Sequence, residues 1–314
     1  MNKFIKTQIN AFKKKYSTQE LIDEYINNNR FIILEIINNK INLQYAIHKD
    51  FLNRKNLFIK IIEKTLEKYK INDTIIILYS GDNYCYDNKP IFNYALPDNK
   101  LGLIFPHFSF IDYNNYDNNI DNIKQTFNNY KANVIYNDIY FKGSSSSKKQ
   151  TRIREKLEYE EKPLNVIVSS KTYEEIYKIK NHKYILDLPG VKPQSIRFNL
   201  LTFSERLIIR ISFYNSKKNE KSYWRQFTDF IYEGNKDYIH LVYDLDYDNK
   251  ISTTNYNKIK TDILKIYNYF ENNNSKYKKI VSNMTKKSKK LTFNYTLKYI
   301  AKLLNIYTKS LLLN

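Results

Sequence analysis

Glycine and proline are scarce in this chain of 314 residues, at 5 and 6, and Cys85 is the only cysteine. The shortage of glycine and proline excludes collagen-like and proline-rich folds and leaves the turns to Asn, Asp and Ser. A single cysteine cannot close an intrachain disulfide, and it cannot build a cysteine zinc site or a thiol redox pair. A reducing compartment fits that usage. Long apolar runs are also missing: Phe31 to Ile37, Thr74 to Tyr79 and Leu207 to Phe213 fall far below the ~18 residues of a membrane span and read as core elements. The opening MNKFIKTQINAFKKKYS is broken repeatedly by Lys and holds no signal-peptide core, which predicts a cytoplasmic protein that is not secreted by that route.

What is abundant is positive charge, 52 Lys and Arg against 32 Asp and Glu, a net +20. Such an excess supplies phosphate affinity and raises nucleic acid or an anionic membrane as a partner. Lys, Asn, Ile and Tyr rise together, however, as in AT-rich coding sequence, and the charge is scattered along the chain. The reading therefore favours compositional drift over a nucleic-acid surface. That bias suits a large DNA virus, with the host cytoplasm as the location, or an AT-rich microbe.

The length has room for two compact domains. Thr18-Gln19-Glu20-Leu21-Ile22 starts a capped helix and Phe31 to Ile36 is a strand candidate. Asn53 to Lys70 carries Leu57, Ile61, Ile62 and Leu66 at helical spacing before the apolar run Ile75 to Tyr79, and helix followed by buried strand is α/β grammar. That strand ends in Ser80-Gly81-Asp82-Asn83, and ligands of open parallel sheets bind past carboxyl strand ends. Further on, Val134 to Phe141 predicts a strand running into Lys142-Gly143 and four serines, Ser144 to Ser147. The serines fit either a linker or, between a strand and the helix-competent Arg152 to Tyr159, a turn that cradles phosphate. Strands follow at Val166 to Val168, Tyr184 to Leu186, Leu207 to Ile211 and Tyr238 to Val242, and helices at Asn255 to Phe270 and Leu291 to Leu313.

The segment Lys183 to Leu201, KYILDLPGVKPQSIRFNLL, continuing through Ser204 to Arg210, resembles the signature of glycosyltransferase family 90, the Rumi-type and capsule-associated transferases. Phe141-Lys142-Gly143-Ser144 is similar to the family's Phe-Arg-Gly-Ser, and Asp237 to Leu245 to its strand leading into Asp-Leu. The resemblance covers Phe141 to Leu245, with a fainter likeness from Ser80 to Phe110. It implies a GT-B fold: two Rossmann-like domains facing a central cleft, with residues 1–133 as the acceptor side and residues 134–289 as the nucleotide-sugar side. The helix at 290–314 would pack back on the first domain.

The implied activity is an inverting, metal-independent transfer of a sugar, glucose or xylose, from UDP-glucose or UDP-xylose to a hydroxyl of a glycan or a protein Ser/Thr. By motif position the catalytic base is Asp82, and the nucleotide-sugar residues are Gly143, Ser144, Arg152, Ser195, Ile196 and Arg197. A carboxylate suits removal of the acceptor proton, and a fixed guanidinium stabilises the leaving diphosphate. Arg154 and Lys149 compete with Arg152, because this sequence is longer there than the family spacing. Asp244-Leu-Asp246 and Asp246-Tyr-Asp248 mimic a metal-holding Asp-x-Asp but read as a solvated turn. The four histidines show no metal-ligand spacing, so no metal or other cofactor is expected. Alternative readings are a basic nucleic-acid or anionic-surface binding protein and a catalytically inactive transferase-fold scaffold.

Overall fold

The computed structural model describes residues 1–12, 14–28, 30–44, 52–81, 89–96, 101–107, 110, 119–143, 154, 157, 159–168, 176–188, 197–215, 220–221, 226–244 and 253–313. The elements begin with α1 (Asn2–Ile9), β1 (Tyr16–Ser17), α2 (Thr18–Tyr25), β2 (Phe31–Ile37), β3 (Lys40–Gln44) and α3 (Leu52–Lys68). Then come β4 (Thr74–Tyr79), β5 (Phe92–Asn93), β6 (Leu103–Ile104), α4 (Ile120–Asn129), β7 (Tyr136–Gly143), β8 (Tyr159–Glu161), β9 (Leu164–Val168) and β10 (His182–Asp187). The last are α5 (Arg197–Leu201), β11 (Leu207–Asn215), β12 (Glu220–Lys221), β13 (Ile239–Asp244), α6 (Thr253–Glu271), α7 (Asn274–Ser288), α8 (Phe293–Leu311) and β14 (Leu312–Leu313). The protein is α/β. No described helix is long and apolar enough to cross a membrane.

The chain divides into two compact units, the first made of Met1–Asp121, Trp224–Phe230 and Leu291–Asn314, the second of Asn122–Tyr223 and Ile231–Lys290. From Asn122 on, α4 packs with the second unit. Phe127 is fully buried, its ring 6.0 Å from Phe203, and its carbonyl accepts a hydrogen bond from Lys180 Nζ at 2.9 Å.

The first unit is built on a sheet of order β3-β2-β4-β5-β6. β4 reads TIIILY and β2 FIILEII because both are covered on two faces, which rewards continuous rather than alternating apolar residues. This sheet is mixed: β2 runs antiparallel to both of its neighbours, β3 and β4, while β4 pairs with β5 and β5 with β6 in parallel. The cause is local. Asn38 and Asn39 adopt φ of 50° and 59°, the left-handed pair that a two-residue hairpin turn needs and that Asn tolerates better than most residues. Asn39 is fixed further by its Oδ1, which accepts from Ile71 N at 2.9 Å, and by its Nδ2, which donates to the Leu66 carbonyl at 3.0 Å.

α8 belongs to this unit. Its buried residues Leu297, Ile300, Ala301, Leu304, Tyr307, Thr308 and Leu311 recur at three- and four-residue spacing, an apolar stripe. Thr292 caps it by accepting from Tyr295 N at 3.0 Å, and the buried Tyr299 hydroxyl donates to the Ile104 carbonyl at 2.8 Å, so its burial leaves no unsatisfied donor. The chain then leaves the helix as β14, parallel to β1.

In the second unit the parallel strands lie in the order β9-β7-β10-β11-β13, with β8 antiparallel on β9 and β12 antiparallel on the end of β11. In chain order that is 2-1-3-4-5, the doubly wound order of flavodoxin-like sheets. Ile139, Phe141, Val166, Tyr184, Leu186, Ile209 and Ile211 form its core with Ile259, Ile263 and Phe270 of α6 and the half-buried Tyr277, Ile280 and Val281 of α7. Each fully buried aliphatic or aromatic side chain there contributes about 1.5–3 kcal/mol.

Candidate functional site

A doubly wound sheet changes winding direction where the chain, having gone from β7 out to β9, returns to β10 on the other side of β7. In sheets of this order ligands bind as a rule past the carboxyl ends of the strands at that point. Here those ends are Gly143 of β7 and Asp187 of β10. The described residues around them carry an unusual concentration of charge.

Phe141 lies two residues before the end of β7, and its ring receives two guanidiniums. Arg197 Cζ is 4.3 Å from the ring centroid and Arg154 Cζ 5.2 Å. Arg197 is the first residue of α5, so its position follows from where the chain re-enters helix after β10. Its Nη2 donates to the Lys142 carbonyl at 2.9 Å, tying it to the last turn of β7. Gly143 is required beside it: a Cβ there would come within 2.8 Å of Phe141 Cζ and 3.1 Å of Arg197 Nη1.

Arg210 joins this group from β11, where it stands opposite Asp187 in the parallel register. Its Nε lies 3.2 Å from Asp187 Oδ2, and its guanidinium rests 4.0 Å from the Phe198 ring centroid. Arg154, Asp187 and Arg210 are 7, 6 and 8 % exposed. Burial and then the Arg197 charge pull the Arg154 guanidinium down to about 10, while Asp187 opposes them. Among the described residues the cluster is thus three guanidiniums against one carboxylate. Two guanidiniums fixed on one ring suit the charge and hydrogen-bonding geometry of a multivalent anion.

Of the residues expected to hold the nucleotide sugar, Gly143 and Arg197 come together here. Ser144, Arg152, Ser195 and Ile196 lie outside the described residues, as do Lys149, Asp246 and Asp248. Arg154, left as an alternative to Arg152, is the cation found on Phe141. Asp187 and Arg210 were missed as site residues. The signal was present in Ile209-Arg210-Ile211, a charged residue inside an apolar strand, which demands a buried partner.

Asp82 lies outside the described residues, but the strand leading to it is described. Ser80 is fully buried, and both its N and its Oγ donate to the Arg30 carbonyl, at 2.8 and 2.7 Å. Arg54, in the first turn of α3, donates from Nη1 to the Ser80 carbonyl at 2.5 Å. Tyr94 and His107 follow the next two parallel strands, with ring centroids 5.2 Å apart. Burial, then the Arg54 charge, lowers His107 to about 3, so it is neutral; burial raises Tyr94 well above the usual phenol range.

The other described histidines have structural partners. His182 Nδ1 is 2.7 Å from Asp138 Oδ1, with its ring stacked on Tyr140 at the amino end of β10, and His240 Nε2 is 2.8 Å from Ser212 Oγ. Among the described residues no group of three or more His, Cys, Asp or Glu side chains gathers as a metal site.

No protein-family model and no curated protein matches the chain. The functional reading therefore stands on the cluster itself and on the motif resemblance.

Proposed function

We propose that the protein is a glycosyltransferase whose second unit holds the diphosphate of a UDP-sugar on Arg154 and Arg197. The observation that carries this reading is the pair of guanidiniums on the Phe141 ring beside Gly143, at the point where a doubly wound sheet reverses. A diphosphate is an anion of the kind that guanidiniums bind with paired, charge-assisted hydrogen bonds. As the sugar–phosphate bond breaks, negative charge accumulates on the leaving UDP, and pre-positioned guanidiniums stabilise it without reorganising.

In this reading the fold serves a GT-B division of labour, with the donor in the second unit and the base, Asp82, supplied from the first. Asp82 removes the proton from the acceptor hydroxyl as its oxygen attacks the anomeric carbon from the face opposite UDP, which inverts that centre. No metal is assigned to either step. Glucose and xylose are the donor sugars to test first, with a glycan or protein hydroxyl as acceptor.

The deciding experiment incubates the protein with UDP-glucose, UDP-xylose and other nucleotide sugars, with and without EDTA, and follows release of free UDP. Release from one donor that survives EDTA supports the reading. No release from any donor, together with no stabilisation by UDP, refutes it. Asp82→Asn is expected to abolish turnover with UDP binding intact, and unchanged turnover in that variant refutes the mechanism.

A further inference from the structure

α7 reads NSKYKKIVSNMTKKS and carries Lys276, Lys278, Lys279, Lys286 and Lys287 with no acidic residue. Its inner side, Tyr277, Ile280, Val281 and Met284, is spent on the core of the second unit. Lys276, Lys278, Lys279 and Lys286 are left exposed, followed by the exposed Lys289 and Lys290. Within the general positive charge of the chain, this helix therefore presents a one-sign face.

That face borders a concavity of about 520 Å³ with Ile239, Phe270 and Ile280 in its lining and Lys236, Lys276 and Lys279 around it. Tyr269 also lines it and is 44 % exposed, the ring edge-on to the buried Phe270 with centroids 5.1 Å apart. The Lys276 ammonium donates to the Tyr269 hydroxyl, which holds a cation next to the ring.

We propose that this face binds single-stranded nucleic acid, with phosphates along the α7 lysines and a base stacked on Tyr269. Three observations favour this occupant. A ring beside a basic stripe is how strand-binding surfaces combine charge with stacking. A concavity suits a splayed base and gives nothing to a flat anionic membrane. Lysines without arginine act as point charges and lack the bidentate geometry of base-edge readout, so binding is independent of sequence. The scattered charge was read from sequence as compositional; the structure shows that part of it is organised around a ring. This inference does not depend on the transferase reading.

The test measures anisotropy of a labelled poly(U) RNA with the full chain, alongside heparin and phosphatidylserine-rich vesicles. Four lysines engaged on a single strand give a log–log salt slope of about −2.8, or roughly 50-fold loss of affinity between about 50 and 200 mM salt. Combined Lys276→Glu, Lys279→Glu and Lys286→Glu is expected to remove binding. Tyr269→Ala is expected to weaken RNA binding about tenfold and leave heparin binding unchanged. Charge reversal at the exposed Lys3, Lys298 and Lys309 is the control, expected to cost far less. An equal loss in that control, no effect of Tyr269→Ala, or vesicle binding that needs the same lysines while RNA fails to bind, overturns the proposal.

Discussion

Replacing Asp187 by Asn removes the one carboxylate described among the three guanidiniums while keeping the side chain's shape. Asp187 lies 3.2 Å from Arg210 Nε, and the two side chains are 9 and 10 % exposed, so solvent screens the pair weakly. Removing one partner of a buried ion pair costs about 3–5 kcal/mol. Asn can still accept one hydrogen bond from Arg210, which brings the expected loss to about 3 kcal/mol. For a unit of this size, that lowers the melting temperature by about 6–12 °C. If the cluster is an anion site, pyrophosphate restores what the carboxylate supplied: at a hundred times its Kd, a ligand contributes about 2.7 kcal/mol, close to the loss. The assay is calorimetric melting of wild type and Asp187→Asn, each with and without pyrophosphate. Pyrophosphate is expected to raise both transitions and to raise the variant more, because replacing the carboxylate by an amide makes the site more positive by one charge. A variant that melts within about 2 °C of wild type refutes the assigned cost of the pair, and pyrophosphate that moves neither protein refutes the anion site.

Arg154→Gln removes one of the two guanidiniums on the Phe141 ring, so UDP affinity should fall at least about tenfold while the variant still unfolds cooperatively in urea. A loss of both would make Arg154 a structural residue. Gly143→Ala drives a methyl group against Phe141 and Arg197 and should cost about 1–3 kcal/mol in urea unfolding along with UDP binding. His107 titrates near 3 when folded against 6.5 unfolded, so the unfolded chain holds the extra proton between those values. Stability is therefore complete above pH 6.5 and falls as pH drops toward 3, by up to about 1.4 kcal/mol per pH unit from this residue. His107→Gln should flatten that part of the stability profile, and an unchanged profile contradicts the assignment.

Strands buried on both faces were legible because their signal is a continuous apolar run: Thr74 to Tyr79 is the strand bounded by the sequence, and His182–Asp187 extends the expected Tyr184 to Leu186 by pairing with β7 and β11. α7 was not read as a helix at all. Its apolar positions Tyr277, Ile280, Val281 and Met284 have helical spacing, yet the lysines between them hid the period. The capped start of α2 was legible to within one residue, the cap being Ser17, which accepts from Glu20 N at 3.0 Å. Leu101 to Phe110 contributed only the short Leu103–Ile104 strand, because an apolar run cannot say how much of itself will find a partner. In the site, Gly143 and Arg197 were named through a motif and Arg154 as an alternative to Arg152, whereas Asp187 and Arg210 meet through the β10–β11 pairing, which is not written locally in either of them.

Titration calorimetry of UDP into wild type and the Arg154→Gln/Arg197→Ala double variant decides whether these two arginines form a diphosphate site. Saturable binding to wild type that persists in EDTA and is lost in a double variant that still folds is the expected result. Equal UDP binding by the two proteins, or none by wild type, would contradict it.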